Sequence, residues 1–346
     1  PIGPTVATSA DQHFDTVLYT GTGAAGNRVG GLKFQPDLVW IKERSSTSSG
    51  SLSDTVRGAG RRVNSDLTSA EESIPAIVSS FNVDGFTNDA DNGVNQSGQT
   101  YVAWCWKAGN GVVENNDGTV PSLVSANPVA GFSIVNWNGV GATCTIGHGL
   151  SKAPRVIFAK SREVGNQWMV NIMNMPGSGT NNNVVLNDAS VAGNSGNSWG
   201  SGTGTAPTDK VFSCGTNADN NQSGKDILAY CWHDVEGFSQ MGMFTGNGST
   251  NGPFVYTGFK PAMWMVKRVA GSTGGWGIGD NKRSPNNPVE LQLAANSNGA
   301  EATALGVDLL SNGFKLRTTD GARNADGANY FYFCWAEMPF KYATAK

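Results

Sequence analysis

Three stretches decide how this chain folds: Tyr101-Val-Ala-Trp-Cys-Trp106, Ile227-Leu-Ala-Tyr-Cys-Trp232 and Tyr330-Phe-Tyr-Phe-Cys-Trp335. Each is a strand-length run of aromatic, β-branched and small apolar residues, a composition that suits a pleated, buried surface. Each ends on a Cys-Trp pair: Cys105-Trp106, Cys231-Trp232 and Cys334-Trp335. Reading back from each pair uncovers the same marks in the same order. A Phe opens (Phe14, Phe132, Phe238) and a Gly follows (Gly21, Gly139, Gly246). A Pro stands 15 residues after that Gly in every copy (Pro36, Pro154, Pro261), and a Lys 6 residues after the Pro (Lys42, Lys160, Lys267). A period of roughly 100 residues occurring three times means three copies of one unit.

The Pro-led runs, Pro36-Asp-Leu-Val-Trp-Ile-Lys42, Pro154-Arg-Val-Ile-Phe-Ala-Lys160 and Pro261-Ala-Met-Trp-Met-Val-Lys267, are apolar at successive positions. Burial on both faces makes each a central strand, with Pro tolerated at its start. The Lys is expected where the strand leaves the core. Asp84-Gly85 and Asn312-Gly313 before Phe86 and Phe314 are hairpin signals. The middle of each copy diverges into loops: Ser45 to Ser53, Gly193 to Gly204 and Ser284 to Pro288. The expected fold is all-β, with three tandem antiparallel β-sandwich modules of jelly-roll or concanavalin-like form. Their expected spans are 1–109, 131–236 and 237–346, with a polar linker over 110–130. A β-helix repeats at much shorter periods. Almost nothing separates the second and third modules, so these two are expected to couple rigidly while the first packs more freely.

Composition bounds the function. The 346 residues include 46 Gly, only 15% are charged, and the formal net charge is -3. Short strands, tight turns and a neutral surface follow. The best basic cluster is Arg57 to Arg62, too narrow for a nucleic-acid footprint. No apolar run is long enough to span a bilayer, so no membrane insertion is expected. The start of the chain, Pro-Ile-Gly-Pro, has no basic and apolar leader, which predicts synthesis in a cytoplasm. Five Cys without a C-x-x-C pair indicate neither a zinc ribbon nor a redox motif; Cys144 and Cys214 look isolated, and buried, reduced thiols are expected. No cofactor is indicated.

Candidate chemistry is sparse. Glycan hydrolysis needs two carboxylates about 5 to 10 Å apart. Glu71 and Glu72 are adjacent, would face opposite ways in a strand, and are expected in a solvated turn or short helix. His148 and Cys144 are four apart, which on a strand leaves them roughly 13 Å apart, so no catalytic residue is assigned. Asp89, Asp91 and Asn95 are similar to part of a calcium loop but lack its terminal bidentate Glu; an Asx turn, which satisfies its own backbone without an ion, is the favoured explanation. For glycan or partner binding, Trp199 within a Gly/Ser/Asn stretch is the candidate aromatic, with Asn194, Asn197 and the amides of Asn181, Asn182 and Asn183 as polar neighbours. The alternative is that Trp199 folds back on its own module or fills a subunit interface.

The run Phe34-Gln-Pro-Asp-Leu-Val-Trp-Ile-Lys-Glu-Arg44, then Asp54-Thr-Val-Arg-Gly-Ala-Gly60, then Val83-Asp-Gly-Phe86, then Tyr101 to Gly109, resembles a domain family of unknown function from virion proteins of tailed bacteriophages, marine and cyanobacterial ones among them. The stretch Gly246 to Pro261 is similar to the same family. The second module departs most, having no Asp-Thr-Val-Arg-Gly. The resemblance implies a virion structural protein, and the family has no established catalytic residues to carry over. Its expected place is a tail fibre, spike or surface appendage that contacts host glycan or other virion proteins. A capsid-decoration protein and a polysaccharide-degrading spike are the alternatives, and a homotrimer is a possible assembly.

Overall fold

The computed structural model describes residues 10–337 apart from 110, 174, 176–181, 195–196 and 203. The fold is nearly all β, in several antiparallel sheets, and its helices are single turns. In each third the Cys-Trp strand is central. Thr100–Trp106 lies between the opening strand Phe14–Thr20 and the Pro-led strand Leu38–Glu43. Asp226–Trp232 lies between Phe132–Asn138 and Val156–Ser161. Asn329–Ala336 lies between Ser239–Thr245 and Pro261–Arg268. A further strand flanks each Pro-led strand: Ser51–Asp54, Met169–Ile172 and Gly277–Asp280. The stretch expected as a linker supplies Val113–Asn115 and Ser122–Asn127, which extend the second sheet beyond its opening strand.

Smaller pairings accompany these sheets. Asn27–Val29 pairs with Gly85–Asn88, and Cys144–Gly147 pairs with Val211–Cys214. In the last third Phe254–Tyr256 pairs with Gly313–Leu316, and the strands Val289–Ala294 and Ala302–Leu310 join that pair to the large sheet.

Alternation along the closing strand separates two cores. Tyr101, Ala103 and Cys105 pack with Val29 and Phe86 inside the first third, and Ile227, Ala229 and Cys231 pack with Ile146 and Phe212 inside the second. Val102, Trp104 and Trp106 point the other way, as do Leu228, Tyr230 and Trp232, into a core shared with the last third. At its centre the three closing tryptophans form a triangle. Ring centroids are 6.2 Å apart for Trp106–Trp232, 5.3 Å for Trp106–Trp335 and 6.3 Å for Trp232–Trp335, with every pair close to edge-to-face. Edge-to-face contact suits the aromatic quadrupole. Phe14 stacks on Trp335 and Phe132 on Trp232.

Two expectations change here. The first third does not pack more loosely; its Trp106 closes the triangle and its sheet shares the central core. The lysines do not mark an exit from the core, because Lys42, Lys160 and Lys267 are all buried. Each ammonium donates to a carbonyl in its own following loop: Ser48, Asn166 or Gly274. Lys42 also donates to Ser297 of the last third, and Lys160 to Thr68 of the first, at 2.9 Å for the latter. Burial lowers all three to about 8, and the carbonyl collars explain how a charged group is held there.

Candidate functional site

The contacts between thirds form a closed ring, and the register identifies equivalent positions in it. Leu38, Val156 and Met263 each pair with the closing Trp on one side; on the other they pair with Asp54, Ile172 and Asp280. Asp54 is held by Arg57 three residues on, Nε to Oδ2 2.6 Å, and accepts from the Tyr230 hydroxyl of the second third at 2.8 Å. Asp280 is held by Arg283 at the same 2.6 Å and accepts from the Trp104 indole of the first third at 3.1 Å. Glu71 bridges Arg57 and Arg162, and Glu301 bridges Arg283 and Arg44. Each outer arginine grips its Glu with two nitrogens, the fork geometry that makes such pairs strong.

Among the described residues the third contact of the ring carries none of this polarity. Ile172 stands in place of the Asp, Met175 in place of its Arg, and Phe333 in place of Trp104 and Tyr230. Phe333 packs on Phe158 at 5.6 Å and Trp232 at 5.7 Å. The backbone still shows the equivalence. Glu71 N donates to Arg162 O at 2.6 Å, Glu301 N to Arg44 O at 2.8 Å, and Ala192 N to Val269 O at 3.1 Å. Donor and acceptor have been exchanged together for apolar side chains, which avoids burying either one alone.

Several residues singled out in the sequence are therefore internal fittings. Glu71 does not sit in a solvated turn. Burial pushes its carboxyl up, but hydrogen bonds and charge from Arg162 and Arg57 outweigh that and hold it below the usual range. Arg57 is buried, Arg62 is half-buried and pairs with Glu72 and Asp91, and Arg61 is exposed, so the basic cluster presents no broad positive surface. His148 is buried, with Nδ1 accepting from Leu150 N and Nε2 on Thr208 O. Burial lowers it to about 4, against a weaker upward pull from the Thr208 backbone.

The calcium-like residues are tied to the backbone. Asp89 accepts from Gly26 N, and Asp91 caps a one-turn helix through Gly93 N. Asn95 receives Thr22 N and donates to Ala24 O and Asp89 O. Buried Asn221 and Asn324 repeat that clamp in the other thirds. Among the described residues no group of three or more His, Cys, Asp or Glu is arranged to hold a metal ion.

Trp199 is 1% exposed and lies against Phe212, and its indole donates to Asn183 Oδ1 at 2.5 Å. A ring so covered has no face for a sugar, so the reading of Trp199 as a platform is corrected to packing. Asn183 is buried with it, while Asn197 is exposed and caps its own loop through Gly202 N. Asn182 and Asn194 pair backbone to backbone across neighbouring strands, and Asn181 lies outside the described residues.

Among the described residues the exposed aromatics lie elsewhere. Phe254, 46% exposed, and Tyr256, 65% exposed, alternate with half-buried Val255 on a strand that ends its sheet. Their one sequence signal was the β-favouring run Phe254-Val-Tyr256 beside a Gly-rich turn. A cleft of about 570 Å³ in the first third is lined by Lys33, Asp37, Thr55 and Lys107. Burial raises Asp37 to about 6. Its oxygens accept from Thr55 Oγ1 and Ala108 N, so it staples two loops together.

Residues 9–339 match the family described as "Domain of unknown function (DUF7483)", and the chain belongs to it. No curated protein and no solved structure matches the chain.

The ring generates two expectations. Asp54→Ile alone removes the acceptor of Arg57 Nε and of the Tyr230 hydroxyl and is expected to cost about 3–5 kcal/mol in urea unfolding. Adding Arg57→Met, Glu71→Ala, Arg162→Val and Tyr230→Phe copies the apolar contact and is expected to recover most of that loss; an additive decline would refute the equivalence. The lowered Glu71 also sets an acid limit. Its link is complete above the ordinary value of 4.5 and is lost as the pH falls through the depressed folded value. Glu71→Gln should lower stability at pH 7 and flatten the acid slope of the unfolding midpoint; an unchanged slope would exclude this role.

Proposed function

We propose that the chain is a non-enzymatic structural protein of a tailed-bacteriophage particle, carried on a tail fibre, spike or surface appendage that touches host glycan or a neighbouring virion protein. The resemblance over Phe34 to Gly109 suggested it. The observation that carries it is the use of the chain's strongest charged networks: they join its own thirds, as in Arg57–Glu71–Arg162 and Arg283–Glu301–Arg44. What faces outward is edge strand and variable loop, the surfaces through which a building block meets partners. We read each third as a β-sandwich whose outer face of the large sheet is covered by its neighbours. Three such units around one axis suit a position on a threefold appendage.

Within this reading the glycan or partner contact belongs to Phe254 and Tyr256. Two neighbouring exposed rings on a strand give the flat apolar faces that Trp199 does not. Gold-labelled antibody on intact particles should mark the tail or its appendages; label confined to the head would favour a capsid-decoration role, and none on particles would end the virion reading. On a glycan array of host polysaccharides, Phe254→Ala with Tyr256→Ala should weaken binding at least about tenfold. Binding unchanged in that variant would remove the aromatic pair from the proposal.

A further inference from the structure

The two cysteines that looked isolated in the sequence face each other. Cys144 and Cys214 are direct partners across the antiparallel pair Cys144–Gly147 and Val211–Cys214. Directly opposed residues share one face of the sheet and hold their Cα atoms about 4.5–5.5 Å apart, within the span of roughly 4.4–6.8 Å that a disulfide bridges. Both thiols are free and buried. The equivalent crossings of the other thirds, aligned on the pairs Val29–Phe86, Ile146–Phe212 and Val255–Phe314, carry Asn27 with Asn88 and Pro253 with Leu316. The fold therefore does not need two sulfurs at this place. We propose that Cys144 and Cys214 are a redox-convertible cross-strand latch, closed to a disulfide by a low-molecular-weight disulfide such as oxidised glutathione.

The two sulfurs have different surroundings, which assigns their roles. Cys144 is 6% exposed and Cys214 fully buried. The Asn221 side-chain amide donates to Cys144 Sγ at 3.6 Å. Hydrogen bonding, from Cys214 first and then Asn221, draws the Cys144 thiol below its ordinary value against the opposing effect of burial, while burial pushes Cys214 well above its own. Cys144 is thus the attacking thiolate and Cys214 the resolving thiol. Cys144 loses its proton and attacks one sulfur of oxidised glutathione, releasing one reduced glutathione and leaving a mixed disulfide. Cys214 then loses its proton, attacks Cys144 Sγ and releases the second. One Sγ–Sγ bond forms, the sulfur–sulfur bond of oxidised glutathione breaks, and the two thiol protons and two electrons end on the two reduced glutathiones.

The latch would fix the floor beneath a variable loop. Gly215, next to Cys214, donates its N–H to Ser198 O, and Trp199 follows directly. Closing the bond ties this loop's support covalently to the facing strand Cys144–Gly147. The bond also removes freedom from the unfolded chain over a long loop.

The native full chain should be incubated with oxidised glutathione, quenched by acid and alkylation under denaturing conditions, and read by intact mass and non-reducing peptide mapping. The expected product has lost two hydrogens, links Cys144 to Cys214, leaves the other three thiols alkylated, and melts on the order of 5 °C higher, reversibly with reductant. Cys214→Ser should stop at a glutathione adduct on Cys144, and Cys144→Ser should give neither product. The wild-type map needs no variant to fold. Five alkylated thiols, a stable Cys144 adduct in the wild type, or a bridge involving Cys105, Cys231 or Cys334 would each overturn the latch.

Discussion

Everything in this fold depends on three indole rings meeting edge to face. Trp106, Trp232 and Trp335 sit at the same place in three copies of one strand, and each ring lies within 6.3 Å of the other two. A tryptophan carries on the order of 200 Å² of surface out of water, so an isolated third would expose a large apolar face. The strand's two-residue period does the sorting. Cys105 and Cys231 turn to the core of their own third, and the Trp beside each turns to the shared one. A single Cys-Trp pair thus serves two levels of packing.

Three copies closing a ring face a problem of specificity. If all contacts were alike, the thirds of two chains could exchange places as readily as the thirds of one chain close on themselves. Here the contacts differ. Two are sealed by Asp–Arg–Glu networks with a donor from the neighbour, and the third by Ile172, Met175 and Phe333. Buried ion pairs contribute little net stability when compared with well-packed apolar groups, but a mismatched one is costly. A ring with two polar contacts and one apolar contact therefore penalises the wrong order of thirds more than it stabilises the right one.

Much of the architecture was legible in the residues. The fixed spacings from Gly to Pro to Lys, together with a closing Cys-Trp pair in each copy, marked the repeat, and the apolar runs correctly marked central strands. What periodicity could not give was direction: nothing in Tyr-Val-Ala-Trp-Cys-Trp says which face meets another copy. The buried lysines were misplaced because a charge after an apolar run reads as an exit, and one of the two carbonyls that satisfy each of Lys42 and Lys160 comes from a loop more than 90 positions away in sequence. Glu71 was misplaced for the same reason, its partner Arg162 being in another third. A signal was present in Asp54-x-x-Arg57 and Asp280-x-x-Arg283, the same spacing in two copies. Its apolar counterpart in the second copy hid the correspondence. Trp199 looked exposed because its neighbours in sequence are Gly, Ser and Asn, yet its neighbours in space include Phe212. The opposition of Cys144 and Cys214 depends on a strand register 70 residues apart, which no local pattern encodes.

The central claim is that the three thirds hold one another folded through a common core. Native-state hydrogen exchange across a denaturant series reads it most directly, at the amides of the closing strands around Trp106, Trp232 and Trp335. A common core predicts that all three strands merge into one opening reaction with the same free energy and the same denaturant dependence. Three separate free energies, each with a slope fitting about a third of the chain, would contradict it.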